Sequence, residues 1–183
     1  LKAKKLIDDS RARIASLLYA HRDEIIFTGS GTESIALAIL GLVSSFVGKG
    51  KPHIITSEIE HPVVLENCKM LEKNGKATVT YIPVDEKGFI NPKLIRENIK
   101  GNTVLVSIMY ANNEIGTIQN IEEIAKQVRH YRKNNSSALP YFHTDACQAM
   151  NYLFTENVEK LGVDLMTFNS SKIYGPKGIA CLY

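Results

Sequence analysis

A chain of 183 residues, 44% hydrophobic and 22% charged, has ample material for one packed domain. Its 22 basic and 19 acidic side chains leave a formal charge of +3, scattered along the chain, which argues against a nucleic-acid or membrane-surface partner. No apolar run reaches bilayer length; the most apolar stretch, 35–47, is broken by Gly41 and the Ser44–Ser45 pair. Three cysteines, Cys68, Cys147 and Cys181, show no metal-type spacing and suit a reducing, cytoplasmic setting with no bound metal. The start at Leu1 leads into an amphipathic helix and not into a signal peptide. A first residue other than Met and a last one, Tyr183, inside a strand-like run give the expectation of a piece of something longer.

In chain order, residues 25–28 read as a short strand ending at Gly29, followed by a helix over about 32–47. Residues 53–56 form the next strand, and Pro62 opens a helix through about Lys73. A strand at 78–82 precedes a short helix at 92–99. The run 103–108 is almost wholly apolar, as in a sheet covered on both faces. Ile121, Ile124, Ala125 and Val128 mark one stripe of a helix over 121–133. Strands follow at 141–144 and 164–168, and a last one begins within 178–183, while 49–52 and 134–140 read as exposed linkers. Alternating strands and helices predict an α/β domain with a largely parallel sheet, whose ligands bind beyond the carboxyl ends of the strands.

The polar clusters all fall at such ends. Thr28-Gly29-Ser30-Gly31-Thr32 joins a strand to a helix, a place where free N–H groups receive a phosphate, although many capped turns look alike. It lacks the lysine of a P-loop and the third glycine of a dinucleotide fingerprint. His61, in Ser57-Glu58-Ile59-Glu60-His61-Pro62, suits ring stacking or proton transfer, or simply a helix cap. Asn112, in Tyr110-Ala111-Asn112-Asn113, suits a ring oxygen, a substrate or a turn. Asp145 and Gln148 follow the strand that contains His143, a histidine better assigned to the strand than to chemistry. Lys172 lies 27 residues after Asp145 (172 − 145), in Asn169-Ser170-Ser171-Lys172-Ile173-Tyr174-Gly175-Pro176. A strand-end Lys and Asp are what pyridoxal phosphate requires: an amine for the aldehyde and a carboxylate for the pyridinium nitrogen.

In the order and placement of these motifs the chain resembles the cysteine desulfurases and selenocysteine lyases, class V of the aminotransferase-type pyridoxal phosphate enzymes, from about Ile25 to Tyr183. The resemblance implies that residues 1–183 are the large domain of a type I fold, a three-layer sandwich on a mostly parallel mixed sheet. An N-terminal segment and a C-terminal small domain would lie outside it. It implies Lys172 as the Schiff-base lysine, Asp145 as the pyridinium partner, Gln148 as donor to the ring hydroxyl and His61 as the ring-stacking, proton-moving histidine. Gly31 and Thr32 match phosphate binders, and Asn112 the residue beside ring and substrate. Many family members read Ser-Gly-His-Lys where this chain has Asn169-Ser170-Ser171-Lys172, so Asn169 and Ser171 stand in for the usual phosphate donors.

The implied reaction removes sulfur from L-cysteine, leaving alanine and a persulfide for a sulfur-acceptor protein, in a homodimer. None of the three cysteines matches the family's nucleophile, so all read as structural and the stretch alone as inactive. A selenocysteine lyase, another class V enzyme, or a non-catalytic scaffold of the same fold are the alternatives; an intact Lys172, Asp145 and His61 count against the scaffold. A nucleotide-binding domain using the Gly29–Thr32 turn is remote.

Overall fold

The computed structural model describes residues 2–153 and 157–183; Leu1 lies outside the described residues. Its strands are β1 (Ile26–Thr28), β2 (His53–Ser57), β3 (Thr78–Ile82), β4 (Thr103–Ser107), β5 (Tyr141–Asp145), β6 (Leu165–Asn169) and β7 (Ala180–Leu182). They form one sheet in the spatial order β1-β7-β6-β5-β4-β2-β3. Strands β2 to β6 pair in parallel, and β7 runs antiparallel to both its neighbours, β1 and β6. The helices are α1 (Lys2–Leu18), α2 (Gly31–Ser45), α3 (Pro62–Lys73), α4 (Pro92–Asn98), α5 (Ile121–Asn135) and α6 (Val158–Leu161). No described helix is long and apolar enough to cross a membrane.

Two cores explain the apolar strands. Ile54 and Leu105 pack with Ile35 and Ile39 of α2 and Val64, Cys68 and Leu71 of α3. Ile55, Val106 and Phe142 point the other way, into Ile95 of α4 and Ile121, Ile124 and Val128 of α5. Successive strand residues face opposite sides, so a strand covered twice must be apolar at nearly every position. β4 is buried throughout for that reason. The result is the three-layer α/β/α sandwich expected.

Helix starts follow local chemistry. Ser30, Asn91, Asn120 and Asn157 each accept a backbone N–H of the first turn through the side chain, and Pro62 and Pro92 sit just inside their helices. Three sequence expectations shift. α2 stops at Ser45 because Phe46 turns extended. α5 runs on to Asn135, where Ser136 closes it in the left-handed conformation (φ 48°), so the supposed linker 134–140 begins inside a helix. Its far end is anchored too: the Arg132 guanidinium binds the Pro140 carbonyl and the Asp164 carboxylate, and Pro140 is buried. Helix α1 buries only Ala15 and Leu18, while Leu6, Ile7 and Leu17 stay exposed.

Two histidines cross-link the sheet from within. His143 is fully buried, with Nδ1 2.9 Å from Ser107 Oγ and Nε2 3.0 Å from Thr167 Oγ1, so it ties β5 to β4 and β6. His53 does the same between Thr103 and Thr80, at 2.8 Å each. Burial lowers the pKa of His143 to about 4, so it is neutral where the fold is built. A histidine with a depressed folded pKa gives stability that is complete above its ordinary value of 6.5 and is lost as pH falls toward 4. We therefore expect the stability gap between wild type and His143→Gln, read from urea unfolding, to be widest at pH 7 and to narrow toward pH 4. A gap that stays constant over that range would show that His143 titrates normally.

Candidate active site

Because β1, β2, β4, β5 and β6 point the same way, their carboxyl ends meet along one edge of the sheet, and one cleft opens there. From β1 and the start of α2 come Gly31 and Thr32; from the loop after β2 comes His61. Asn113 follows β4, Asp145, Cys147 and Gln148 close β5, and Asn169 and Lys172 follow β6. Seven of the residues singled out in the sequence are thus brought together: Gly31, Thr32, His61, Asp145, Gln148, Asn169 and Lys172.

Asp145 is the electrostatic centre. It is 7% exposed, and its Oδ1 accepts the Cys147 N–H at 3.0 Å. Burial raises its pKa, opposed by that hydrogen bond and by the positive charge of His61 and Lys172. An anion held this way favours a proton-bearing cation in the cleft. Lys172 sits at the end of a single 3₁₀ turn, Ser170–Lys172, whose cap is Asn169. Ser170 locks the turn: its hydroxyl lies between the Pro176 and Ile179 carbonyls and shares its one proton with them, and its own carbonyl accepts the Gly175 N–H at 2.8 Å. The amine therefore stands on a fixed base.

His61 is both things the sequence allowed. Its Nδ1 accepts the Val63 N–H at 3.2 Å and so caps α3, while the ring lines the cleft. A lone pair engaged at Nδ1 puts the neutral ring's proton on Nε2.

At the start of α2, Ser30 Oγ takes the Glu33 N–H at 3.1 Å and the Ser30 carbonyl takes the Ser34 N–H. The N–H groups of Gly31 and Thr32, at the first two positions, have no intrahelical acceptor and belong to residues of the cleft wall. Gly31 also leaves room: a Cβ there would stand 3.1 Å from Cys147 Sγ and 3.5 Å from Asn169.

Two expected residues do not line the cleft. Asn112 is consumed by its own turn: Oδ1 accepts the N–H groups of Glu114 (2.8 Å) and Ile115 (3.0 Å), and Nδ2 donates to the Ile59 carbonyl. Its neighbour Asn113 takes the place at the cleft. Two adjacent identical residues left only the turn geometry to separate them. Ser171 donates its hydroxyl to Asn169 Oδ1 at 2.7 Å and so supports Asn169 rather than facing the cleft. Cys147, read as purely structural, is at the cleft wall; burial, then the charge of Asp145, pushes its thiol up. Cys68 and Cys181 are buried, with thiols pushed up to about 12, and match the structural reading.

A lysine and a buried carboxylate at adjacent strand ends, with a helix N-terminus beside them, define the large domain of the type I pyridoxal phosphate fold. Residues 1–183 match the family described as Aminotransferase class-V, and the chain belongs to that family. It is 46% identical to cysteine desulfurase IscS of Dictyoglomus turgidum and 43% identical to that of Pseudomonas aeruginosa; the whole chain aligns to 44% and 43% of their lengths. The chain thus spans somewhat under half of these relatives. Among solved structures it is similar to SspA in complex with cysteine (TM-score 0.89, 39% identity, all of this chain and 50% of that one). It is also similar to DndA from Streptomyces lividans (TM-score 0.86, 35% identity, 99% of this chain and 48% of that one).

The residues fit the family's cofactor. Asp145 offers a carboxylate to a ring N–H, Gly31 and Thr32 offer N–H groups to a phosphate, and the missing Cβ at 31 leaves the cradle open. We expect Gly31→Ala to weaken pyridoxal phosphate binding about tenfold or more, measured by equilibrium titration. Adding Cys147→Ala, which removes the sulfur that the new Cβ meets, should restore part of the affinity; no recovery would mean that Gly31 acts otherwise than by space.

Proposed function

We propose that this chain is the cofactor-binding part of a cysteine desulfurase, which takes sulfur from L-cysteine, releases L-alanine and passes the sulfur on as a persulfide. The observation that carries the reading is the convergence of Lys172, Asp145 and His61 on one cleft, in a chain 46% identical to a desulfurase. Similarity to a protein solved with cysteine supports the choice of substrate.

Pyridoxal phosphate, when bound, supplies an electron sink for the charge left at the substrate Cα. Lys172 would hold it covalently through the amine; Asp145 would keep the ring nitrogen protonated, and Gln148 would donate to the ring hydroxyl. Gly31, Thr32 and Asn169 would hold the phosphate. The Lys172 amine would be the base for the Cα proton, and His61, with its proton on Nε2, a second proton-transfer group lining the cleft. Asn113, not Asn112, would stand beside ring and substrate. The persulfide needs a thiolate, and Cys68, Cys147 and Cys181 all have thiols pushed away from ionisation. In this reading the nucleophile comes from a segment or subunit outside these residues. Three free thiols suit a cytoplasmic setting, and the similarity to desulfurases supports a homodimer that meets a sulfur-acceptor protein.

The test is a titration of the full-length protein with pyridoxal phosphate, followed by borohydride reduction and peptide mapping. The reduced cofactor should be found on Lys172 and be absent from Lys172→Ala. Added L-cysteine, with dithiothreitol to reduce the persulfide, should then yield alanine and sulfide in equal amounts, with Lys172→Ala and His61→Ala slower by about 10²-fold or more. Cofactor bound without alanine from cysteine would leave a class V enzyme of another substrate; no cofactor bound at all would sink the reading.

A further inference from the structure

Glu60 has no part in the mechanism above, yet it is the most completely buried acid near the cleft, at 4% exposure. Its Oε1 accepts the Ser57 hydroxyl at 2.6 Å and the Met109 N–H at 2.9 Å, while Oε2 is buried with no partner among the described residues. Ser57 ends β2, His61 follows Glu60 directly, and Met109 follows β4 and lines the cleft with Ala111 and Asn113. One side chain therefore spans the two loops that deliver His61 and Asn113. A second tie lies alongside, from Asn112 Nδ2 to the Ile59 carbonyl at 2.9 Å.

We propose that Glu60 is a positioning residue for the cleft: its carboxyl clasps the loop after β2 onto the end of β4 and so sets where the His61 imidazole stands relative to Asp145. The inference rests on the cofactor reading only in giving His61 a ring to act on.

The surroundings determine the form in which the clasp works. The titratable groups that act on Glu60 are Asp145 from β5 and the Cys68 thiol from α3, both acids. Burial raises the Glu60 pKa to about 8, against the pull of the Ser57 and Met109 hydrogen bonds, and the Asp145 charge adds to the rise. With its pKa raised to about 8, Glu60 is neutral at pH 7. In that form Oε2 is not a bare buried anion, and the carbonyl-like Oε1 still accepts both donors. Opening the loop to water returns Glu60 toward its ordinary pKa of 4.5. The closed form thus holds one more proton between 4.5 and about 8, and closure weakens as pH rises through that window, then levels off.

The experiment uses the full-length protein and has two arms. In the cofactor-free state, amide exchange of Met109, corrected for intrinsic rate, is followed from pH 5 to 9 in wild type, Glu60→Gln and Glu60→Ala. Wild-type protection should fall with pH up to about 8, by at most about tenfold per pH unit for one proton, relative to Glu60→Gln. The glutamine keeps an acceptor for Met109 and loses the titration. Glu60→Ala should lose about tenfold or more of the protection at pH 6. In the second arm, pyridoxal phosphate affinity should drop about tenfold in Glu60→Ala, stay near wild type in Glu60→Gln, and drop no further when Glu60→Ala is added to His61→Ala.

Coincident pH profiles for wild type and Glu60→Gln, full protection in Glu60→Ala, or independent losses in the double variant would each overturn the proposal. Should Glu60→Ala not fold, the comparison with glutamine decides alone. Should the wild type bind no pyridoxal phosphate, the proposed function fails while the exchange arm still judges the clasp.

Discussion

Burying the negative charge of Asp145 is the act on which the rest of this site depends. A carboxylate taken out of water at the end of a central strand needs compensation that a single backbone N–H cannot supply. The fold answers from two directions, with the His61 imidazole on the β2 side and the Lys172 amine on the β6 side. Each group is in turn fixed by backbone: His61 by capping α3, Lys172 by the Ser170-locked turn. Without the anion neither arrangement has an electrostatic reason to exist.

The surroundings of that anion are rigid because the sheet is cross-linked by polar side chains as well as by packing. His143 is two residues before Asp145 on the same face of β5, and it reaches β4 and β6 at once. Thr144 and Thr56 add side-chain bonds to the carbonyls of Ile108 and Ser107. Polar residues inside a sheet cost stability unless every donor and acceptor is matched, and here the matching is lateral, strand to strand. Such a bed holds Asp145 to one position.

Much of this was legible in the residues. Strand ends announced themselves through Gly29, Pro62 and the polar runs, and the doubly covered β4 through its unbroken apolar sequence. The Lys172–Asp145 pair could be read because its chemistry demands those two residue types. What escaped has physical causes. Asn112 and Asn113 are the same residue type, and only the turn determines which is bonded inward. Ser171 and Asn169 both offered donors, but one bonds the other. Cys147 looked inert because its role at the cleft wall depends on its distance from Gly31, which no spacing rule encodes. Glu60 was overshadowed by its neighbour; burial, not identity, is what distinguishes it from Glu58.

The flanking of Asp145 by two unlike groups has a stereochemical consequence. His61 arrives from one side in the strand order and Lys172 from the other, each on a base that does not swing. The two flanks of Asp145 are therefore chemically unlike, an imidazole on one and a primary amine on the other, and the cleft has no mirror symmetry about that carboxylate. That asymmetry is set by the order in which the parallel strands lie side by side.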